Sequence, residues 1–294
     1  MRDRSLQYYL LVPAFMIVVA TTIYPLAYSF ITAFRDWDLS KQRRPQGFVG
    51  ADNFTQALSD ANFLSTAWVT VVFVVVSVAL TVVLAMGLAL LLRRRGPLHD
   101  FTRVILILPF AMSPALIGVS YRFMFNPEYG VIAKGLGQVF PPLAGVPWLA
   151  DPHLALGVLI ATDVWHWTPY MTFMCLGGLA SVPRATEEAA RMDGASSLRI
   201  LWDVILPQMT GVLVVVAVLK TIFALKMFDQ VVTLTGGGPG VATETLAFYV
   251  YKVGFKWFDM GYASALAWVL TAILMAVSAG YVRMLLKERK MATA

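Results

Sequence analysis

Long apolar runs dominate this sequence and limit what it can fold into. The run from Thr66 to Leu92 contains no charged residue, and as an α-helix it is long enough to cross a bilayer core of roughly 30 Å. Charged residues make up 14% of the chain, whereas a soluble domain carries about 25%. A soluble domain of this size cannot bury several such runs. The sequence therefore predicts an all-α integral membrane protein.

Six runs have this character, and we predict one membrane-spanning helix in each. They cover residues 8–34, 66–92, 104–125, 154–182, 211–234 and 261–282. The first run follows Arg2 and Arg4, as in a signal peptide, but no small-residue cleavage site follows at the usual distance, so we predict a retained helix. No repeat or linker divides the chain, and we predict one transmembrane domain over residues 1–294.

Basic residues near the ends of these runs are distributed unevenly between the two faces of the membrane. Six crossings place both termini on one face, which carries Arg2, Arg4, Arg93, Arg94, Arg95, Arg103, Arg184, Arg191, Arg199, Arg283, Lys287, Arg289 and Lys290. The other face carries Arg35, Lys41, Arg43, Arg44, Lys134, Lys252 and Lys256. Because cytoplasmic loops are enriched in Lys and Arg, we predict cytoplasmic termini. The net charge of +6 then reflects membrane orientation and does not require a nucleic-acid partner.

The residues needed for several kinds of chemistry are missing from the sequence. Cys175 is the only cysteine and the three histidines lack a metal-ligand spacing, so we predict no metal site. The segment Gly236–Gly240 is rich in glycine, but no Lys-Ser or Lys-Thr follows it, so we do not expect it to bind ATP phosphates. We predict no catalytic residue and no cofactor in this chain.

The segment between the fourth and fifth runs has the signals of a helix, an elbow and a second helix. Pro183 suits the first turn of a helix and Glu187 its positive end. Gly194 is placed to end that helix in a left-handed conformation, and Ser196 or Ser197 can cap the next one. Small alanines along the first helix allow close approach, which predicts a cytoplasmic docking surface for a partner protein.

The spacing of residues in this segment resembles that of a known family. Glu188-Ala189-Ala190 is followed by Gly194 and then by Leu206-Pro207, with Val204 at the usual Ile position. This pattern resembles the inner-membrane permeases of binding-protein-dependent ABC importers. The stretch Thr233–Gly240 is similar to the maltose-type carbohydrate subgroup, and partial matches at Phe125–Gly130 and Pro147–Leu149 extend the resemblance over most of the chain.

The resemblance implies a multi-pass subunit of a bacterial or archaeal inner membrane that works with several partners. These are a second, homologous permease, two ATPase subunits that hold ATP and Mg, and an extracytoplasmic solute-binding protein. The loop 183–207 would contain a coupling helix, from about Arg184 to Asp193, seated in a groove of one ATPase. Its coupling residues would be Glu187, Glu188, Ala189, Ala190, Asp193, Gly194, Leu206 and Pro207. The alternative is that the glutamates only form a solvated helix surface.

Charged and aromatic residues inside the fourth and fifth runs are candidates for a solute pathway. Charges within a membrane helix usually face a cavity or a partner. Helical spacing places Asp163, His166, Trp167 and Tyr170 on one face of the fourth run, and Phe223, Lys226, Asp229 and Gln230 on one face of the fifth. The candidates are Asp163, Trp165, His166, Trp167, Tyr170, Lys220, Phe223, Lys226, Asp229 and Gln230. The alternative is that Lys226 pairs with Asp229, and Asp163 pairs with Lys220 across a helix interface.

The predicted function is that of a permease subunit in an ATP-driven importer. The resemblance implies that a sugar, of the di- or oligosaccharide class, passes from the binding protein into the cytoplasm by alternating access. Import of a polyol or a glycerol phosphate is the first alternative. A second is an ion-coupled secondary carrier that uses Asp163 and Lys220 as a relay.

Overall fold

The fold is almost entirely helical, as predicted. The computed structural model describes the backbone of residues 11–93 and 96–292 and the side chains as far as residue 283. No β-strand occurs in the described part of the chain. The helices are α1 (Leu11–Thr32), α2 (Asp52–Ser59), α3 (Ala61–Leu92), α4 (Pro97–Ala111), α5 (Pro114–Met124), α6 (Val131–Val139), α7 (Pro152–Ala180), α8 (Arg184–Met192), α9 (Ser197–Leu225), α10 (Leu246–Tyr251) and α11 (Met260–Ala292).

Several of these helices are suited to crossing a membrane. By length and composition, α1, α3, α9 and α11 can each span, and the bent pair α4–α5 can form a fifth crossing. The 29-residue helix α7 is long enough but lies outside this set. Polar residues such as Asp163, His166 and Thr172 lower its apolar character, and these three are buried in the protein. The multi-pass class is confirmed, while the count of six stays a prediction.

The prediction of cytoplasmic termini depends in part on residues that the structure does not describe. Arg2, Arg4, Arg94 and Arg95 lie outside the described residues, as do residues 8–10 of the first predicted run. The side chains of Lys287, Arg289 and Lys290 also lie outside the described part.

The chain divides into two compact units, the first formed by residues 1–64 and 249–273. Asn53 of α2 donates hydrogen bonds to the carbonyls of Ala33 and Arg35, at 2.9 and 3.1 Å. Asp60 accepts hydrogen bonds from the hydroxyls of Tyr249 and Tyr262, at 2.6 and 2.8 Å. These bonds connect three separate stretches of sequence within the first unit.

The second unit is formed by residues 65–248 and 274–294. Its hydrophobic core contains Ala85 of α3, Cys175 of α7 and Met209 of α9, all fully buried. Cys175 is therefore a core residue. The prediction of one transmembrane domain over residues 1–294 stays a prediction.

The third predicted run, 104–125, is not one helix. α4 and α5 meet at an angle of 96° across a short break. Met112 and Ser113 have extended ψ angles of 144° and 142° there. A residue that precedes proline disfavours the helical conformation, so Pro114 explains the extended backbone at Ser113. Pro109, which lacks an N–H group, further weakens the end of α4.

The fifth predicted run, 211–234, is displaced toward the N-terminus. Helix α9 begins at Ser197 and ends at Leu225, and a separate π-helical turn covers Val231–Thr235. Leu206 and Pro207, at the end of the predicted loop 183–207, therefore lie inside α9, which continues the second helix predicted in that loop. A π-helical turn at Leu201–Ile205 precedes Pro207 and lets the helix continue past a residue without an N–H donor.

Candidate functional site

The loop 183–207, here called the coupling loop, folds into the predicted helix and elbow. The amide of Gly194 donates to the Arg191 carbonyl and that of Ala195 to the Ala190 carbonyl, both at 3.0 Å. These two bonds form a Schellman motif, which requires a left-handed residue at the end of the helix. Gly194 has φ of 79°, so the predicted left-handed elbow is confirmed. Beyond it, the Ser196 hydroxyl accepts a bond from the Arg199 amide at 3.4 Å and caps α9.

The two glutamates of the coupling loop face different environments. Glu187 is 7% exposed, and its Oε1 lies 2.5 Å from Arg93 Nη1 at the end of α3. Glu188 is exposed. Glu187 is therefore an internal anchor of α8 in this structure, and the alternative of a solvated surface does not apply to it. Arg93 was considered only for membrane orientation, because nothing in its sequence context identifies a partner so distant along the chain.

The outer surface of α8 combines charge with an exposed apolar side chain. Glu188, Ala189, Arg191 and Asp193 are exposed, and Met192 is 89% exposed. A cavity of about 480 Å³ lies beside the helix and is lined by Leu90 of α3 and by residues of α8 and α9. A short helix that exposes a methionine and alternating charges can dock into a groove on another protein.

Five of the ten pathway candidates line one cavity of about 240 Å³ in the second unit. They are Trp167, Phe223, Lys226, Asp229 and Gln230, and Pro114, Met227 and Phe228 complete the lining. Phe223 lies on α9, but Lys226 has φ of −94° and ψ of 11°, which ends the helix. The predicted helical face is therefore wrong beyond Leu225. The break itself brings Asp229 and Gln230 to the same cavity.

This cavity, here called the solute cavity after the role proposed for it below, is lined by both aromatic and polar groups. Trp167 and Phe223 stack with ring centroids 4.1 Å apart, and Lys226 Nζ lies 5.8 Å from the Phe223 ring centre. The buried Gln230 amide lies 3.3 Å from His166 Nδ1. Among the ion pairs of the described residues, none joins Lys226 to Asp229. Both charges therefore remain available to a solute, next to an aromatic wall.

The remaining pathway candidates do not line this cavity. Asp163 and Lys220 form an ion pair whose side chains are fully buried, so the alternative of a pair across the α7–α9 interface is confirmed. Trp165 packs on Tyr121 with ring centroids 5.5 Å apart. Tyr170 stacks on Phe110 at 4.8 Å and lines a separate apolar cavity of about 220 Å³.

The sequence reasoning missed two residues that shape these sites. Pro114 lines the solute cavity, and its position immediately after the α4–α5 break could have indicated a re-entering backbone. Phe110, just before that break, packs on His166 and Trp167 at 6.3 and 5.9 Å. Within the described residues, no group of three or more His, Cys, Asp and Glu side chains could hold a metal ion.

Comparisons with known proteins identify the family of this chain. Residues 81–289 match the family described as binding-protein-dependent transport system inner membrane component. The chain is 34% identical to a sulfoquinovosyl glycerol transport system permease protein of Agrobacterium fabrum, over 96% of this chain and 91% of that protein. It is 35% identical to a trehalose/maltose transport system permease protein of Thermococcus litoralis, with coverages of 93% and 90%.

A further relative and a solved structure extend the comparison. An sn-glycerol-3-phosphate transport system permease protein of Brucella suis is 35% identical, over 94% of this chain and 93% of that protein. The fold matches a bacterial ABC transporter involved in the import of the acidic polysaccharide alginate, with a TM-score of 0.84, 18% identity, and coverages of 97% and 96%. The chain therefore belongs to the family of inner membrane components of binding-protein-dependent transport systems.

Proposed function

We propose that this chain is the permease subunit of an ATP-driven importer that moves a sugar into the cytoplasm by alternating access. The proposal rests mainly on the structure of the coupling loop. Helix α8 is fixed at its C-terminal end by the Gly194 elbow and in its first turn by the Arg93–Glu187 pair, while Glu188 and Met192 are exposed. A rigid helix with an exposed outer surface suits the transmission of force from a partner.

The partners follow from this role. Two ATPase subunits hold ATP and Mg, and α8 docks on one of them through Glu188, Ala189, Asp193 and the exposed Met192. A second, homologous permease completes the membrane channel. An extracytoplasmic binding protein delivers the solute. This last proposal is supported by a related alginate transporter, solved in complex with an alginate pentasaccharide-bound periplasmic protein. Both termini and the coupling loop then lie in the cytoplasm.

The solute cavity favours a carbohydrate. The Trp167–Phe223 stack offers an apolar plane beside Lys226, Asp229 and Gln230, which can exchange hydrogen bonds with hydroxyl groups. The trehalose/maltose relative supports a di- or oligosaccharide. A glycerol phosphate is the second candidate, favoured by the Brucella suis relative and by the Lys226 ammonium, which no carboxylate among the described residues neutralises.

Energy dependence tests the importer proposal. The chain, copurified with its partners, is reconstituted into proteoliposomes with the cognate binding protein, and uptake of radiolabelled trehalose and sn-glycerol 3-phosphate is measured. We expect uptake of one solute that requires internal ATP and persists when a protonophore is added. Uptake that follows a proton gradient without ATP would instead favour the carrier alternative, in which Asp163 and Lys220 act as a relay.

A pair of variants tests the solute cavity. Trp167→Leu removes the stacking plane, and Lys226→Gln removes the positive charge while retaining hydrogen-bonding capacity. For a neutral sugar we expect Trp167→Leu to impair uptake and Lys226→Gln to have the smaller effect. For a glycerol phosphate the order reverses. Trp165→Leu, at a tryptophan that does not line this cavity, is the matched control and should retain uptake.

A further inference from the structure

A second cleft, beside the coupling loop, combines three arginines with an apolar wall. Its volume is about 490 Å³, and Arg93, Arg103 and Arg184 line it together with Phe173, Leu176 and Leu179. No acidic side chain is among the described residues that line it. Such a cleft suits a ligand that carries a negative charge next to hydrocarbon.

The arginines retain donors beyond those used within the protein. Arg103 donates to the Leu92 carbonyl at 2.5 Å and to Asp100 at 2.9 Å, while its Nε is buried without a hydrogen-bond partner. Arg93 contacts Glu187, and Arg184 takes part in none of the ion pairs of the described residues. Because a guanidinium has five N–H donors, the cluster can still bind an anionic group such as a phosphate.

The position of the cleft points to the membrane surface. Helix α3 ends at Leu92, α4 begins at Pro97 and α7 ends at Ala180, so residues at or near the ends of three helices surround the cleft. Under the proposed orientation, these ends lie at the level of the cytoplasmic lipid headgroups. Basic pockets between membrane helices on that side are typical sites for anionic lipids.

We infer that this cleft binds the headgroup of an anionic phospholipid, with the phosphate on the arginines and the glycerol and upper acyl chain against Phe173 and Leu176. The inference rests on the orientation in the proposed function, but lipid binding is measured without transport. A failure to bind lipid can therefore be distinguished from a failure of the proposed transport function. A lipid held here contacts Arg93, the residue that also anchors α8.

Native mass spectrometry of the purified transporter complex, released from nanodiscs of mixed phosphatidylglycerol and phosphatidylcholine, tests the inference. We expect the wild-type complex to retain phosphatidylglycerol preferentially. Arg184→Gln should lower that retention roughly fivefold, and the Arg103→Gln/Arg184→Gln double variant roughly 25-fold. Arg184→Lys preserves the charge and should retain most of the preference. Arg199→Gln, which removes an exposed arginine outside the cleft, is the matched control and should leave retention unchanged.

Three results would overturn the inference. The first is equal retention of the two lipids by the wild-type complex. The second is an equal loss in Arg199→Gln and Arg184→Gln, which would indicate general surface charge. The third is displacement of the lipid by millimolar inorganic phosphate, which would indicate a site for a soluble anion. A photoreactive amino acid at Leu176 gives an independent readout, because it should form a lipid adduct, whereas an adduct with an ATPase subunit would show that protein fills the cleft.

Discussion

Arg93 Nη1 lies 2.5 Å from Glu187 Oε1, and this ion pair joins the end of α3 to the first turn of α8. Both side chains are largely buried, at 22% and 9% exposure. The pair gives the coupling loop a second connection to the membrane helices, in addition to the chain itself. Movement of α8 can therefore reach α3 as well as α9.

Removal of one partner of this pair should both destabilise the protein and uncouple it. Arg93→Gln leaves the buried Glu187 carboxylate without its partner, and Glu187→Gln leaves the partly exposed Arg93 without its own. We expect the first variant to lower stability by about 1–3 kcal/mol and the second by less. We expect ATP hydrolysis per solute transported to rise in both variants. The exchange variant Arg93→Glu/Glu187→Arg should recover part of both properties. A double-mutant cycle with no coupling energy would contradict the anchoring role.

A second prediction concerns the backbone conformation of Gly194. Its φ is 79°, and a Cβ built there meets no atom within 4 Å, so the effect of a substitution reports backbone conformation and not crowding. Gly194→Val should cost about 1–2 kcal/mol and reduce uptake more than expression. Gly194→Asn, which tolerates the left-handed region, should retain more uptake. Full solute-stimulated ATP hydrolysis in Gly194→Val would argue against the elbow.

A third prediction concerns the close packing around Gly118. A Cβ on Gly118 would overlap Thr233 Oγ1 and lie 3.3 Å from the Gln230 Cα atom. Gly118→Ala should therefore destabilise the protein by about 1–3 kcal/mol and weaken solute uptake, because Gln230 lines the solute cavity. Gly87→Ala, at a helical position where a Cβ meets nothing within 4 Å, is the matched control and should be neutral or slightly stabilising. Equal melting temperatures of the two variants would contradict this packing.

A fourth prediction concerns the hydrogen bonds to Asp60, which should make the stability of the protein depend on pH. Partial burial raises the pKa of Asp60, but hydrogen bonds from Tyr249, Tyr262 and the amides of Asn62 and Phe63 outweigh it, so the net pKa is lowered. A lowered pKa contributes stability above the ordinary aspartate value of about 3.9, and this contribution is lost as the pH falls through the folded-state pKa.

Thermal unfolding of the purified protein at a series of pH values measures this effect. We expect Asp60→Asn to melt below the wild-type protein at neutral pH, with a difference that shrinks as the pH falls below about 4. Asp52→Asn, at an exposed carboxylate of the same unit, should show a smaller difference. A constant difference between the Asp60→Asn and wild-type melting temperatures over the whole range would contradict the assignment.

The membrane class and the elbow could be predicted from sequence because both depend on local signals. An uncharged run of spanning length indicates a membrane helix, and a glycine placed between helix signals indicates a left-handed end. At Gly194, such a signal predicted which residue adopts the left-handed conformation. The small alanines of α8 predict a docking surface, and the family pattern added the proposal that its partner is an ATPase subunit.

Tertiary contacts determine the features that the sequence did not predict. Glu187 and Glu188 are adjacent and chemically identical, yet only Glu187 meets Arg93, a partner about ninety residues away that no local pattern identifies. The break after Leu225 places Asp229 and Gln230 in the solute cavity without helical spacing. Pro207 lies inside α9 because a π-helical turn precedes it, which the proline alone does not reveal.

Crosslinking from position 192 tests most directly the central claim, which is that α8 docks on an ATPase subunit. The side chain is 89% exposed at the end of α8, and Cys175, the only native cysteine, is fully buried, so Met192→Cys provides a single accessible thiol. A thiol-reactive photocrosslinker attached at position 192 is activated in the assembled transporter, and the adduct is identified by mass spectrometry. We expect an adduct with an ATPase subunit whose yield changes when ATP is bound. Labelling of position 192 by an impermeant maleimide from outside intact cells, with no ATPase adduct, would contradict the account.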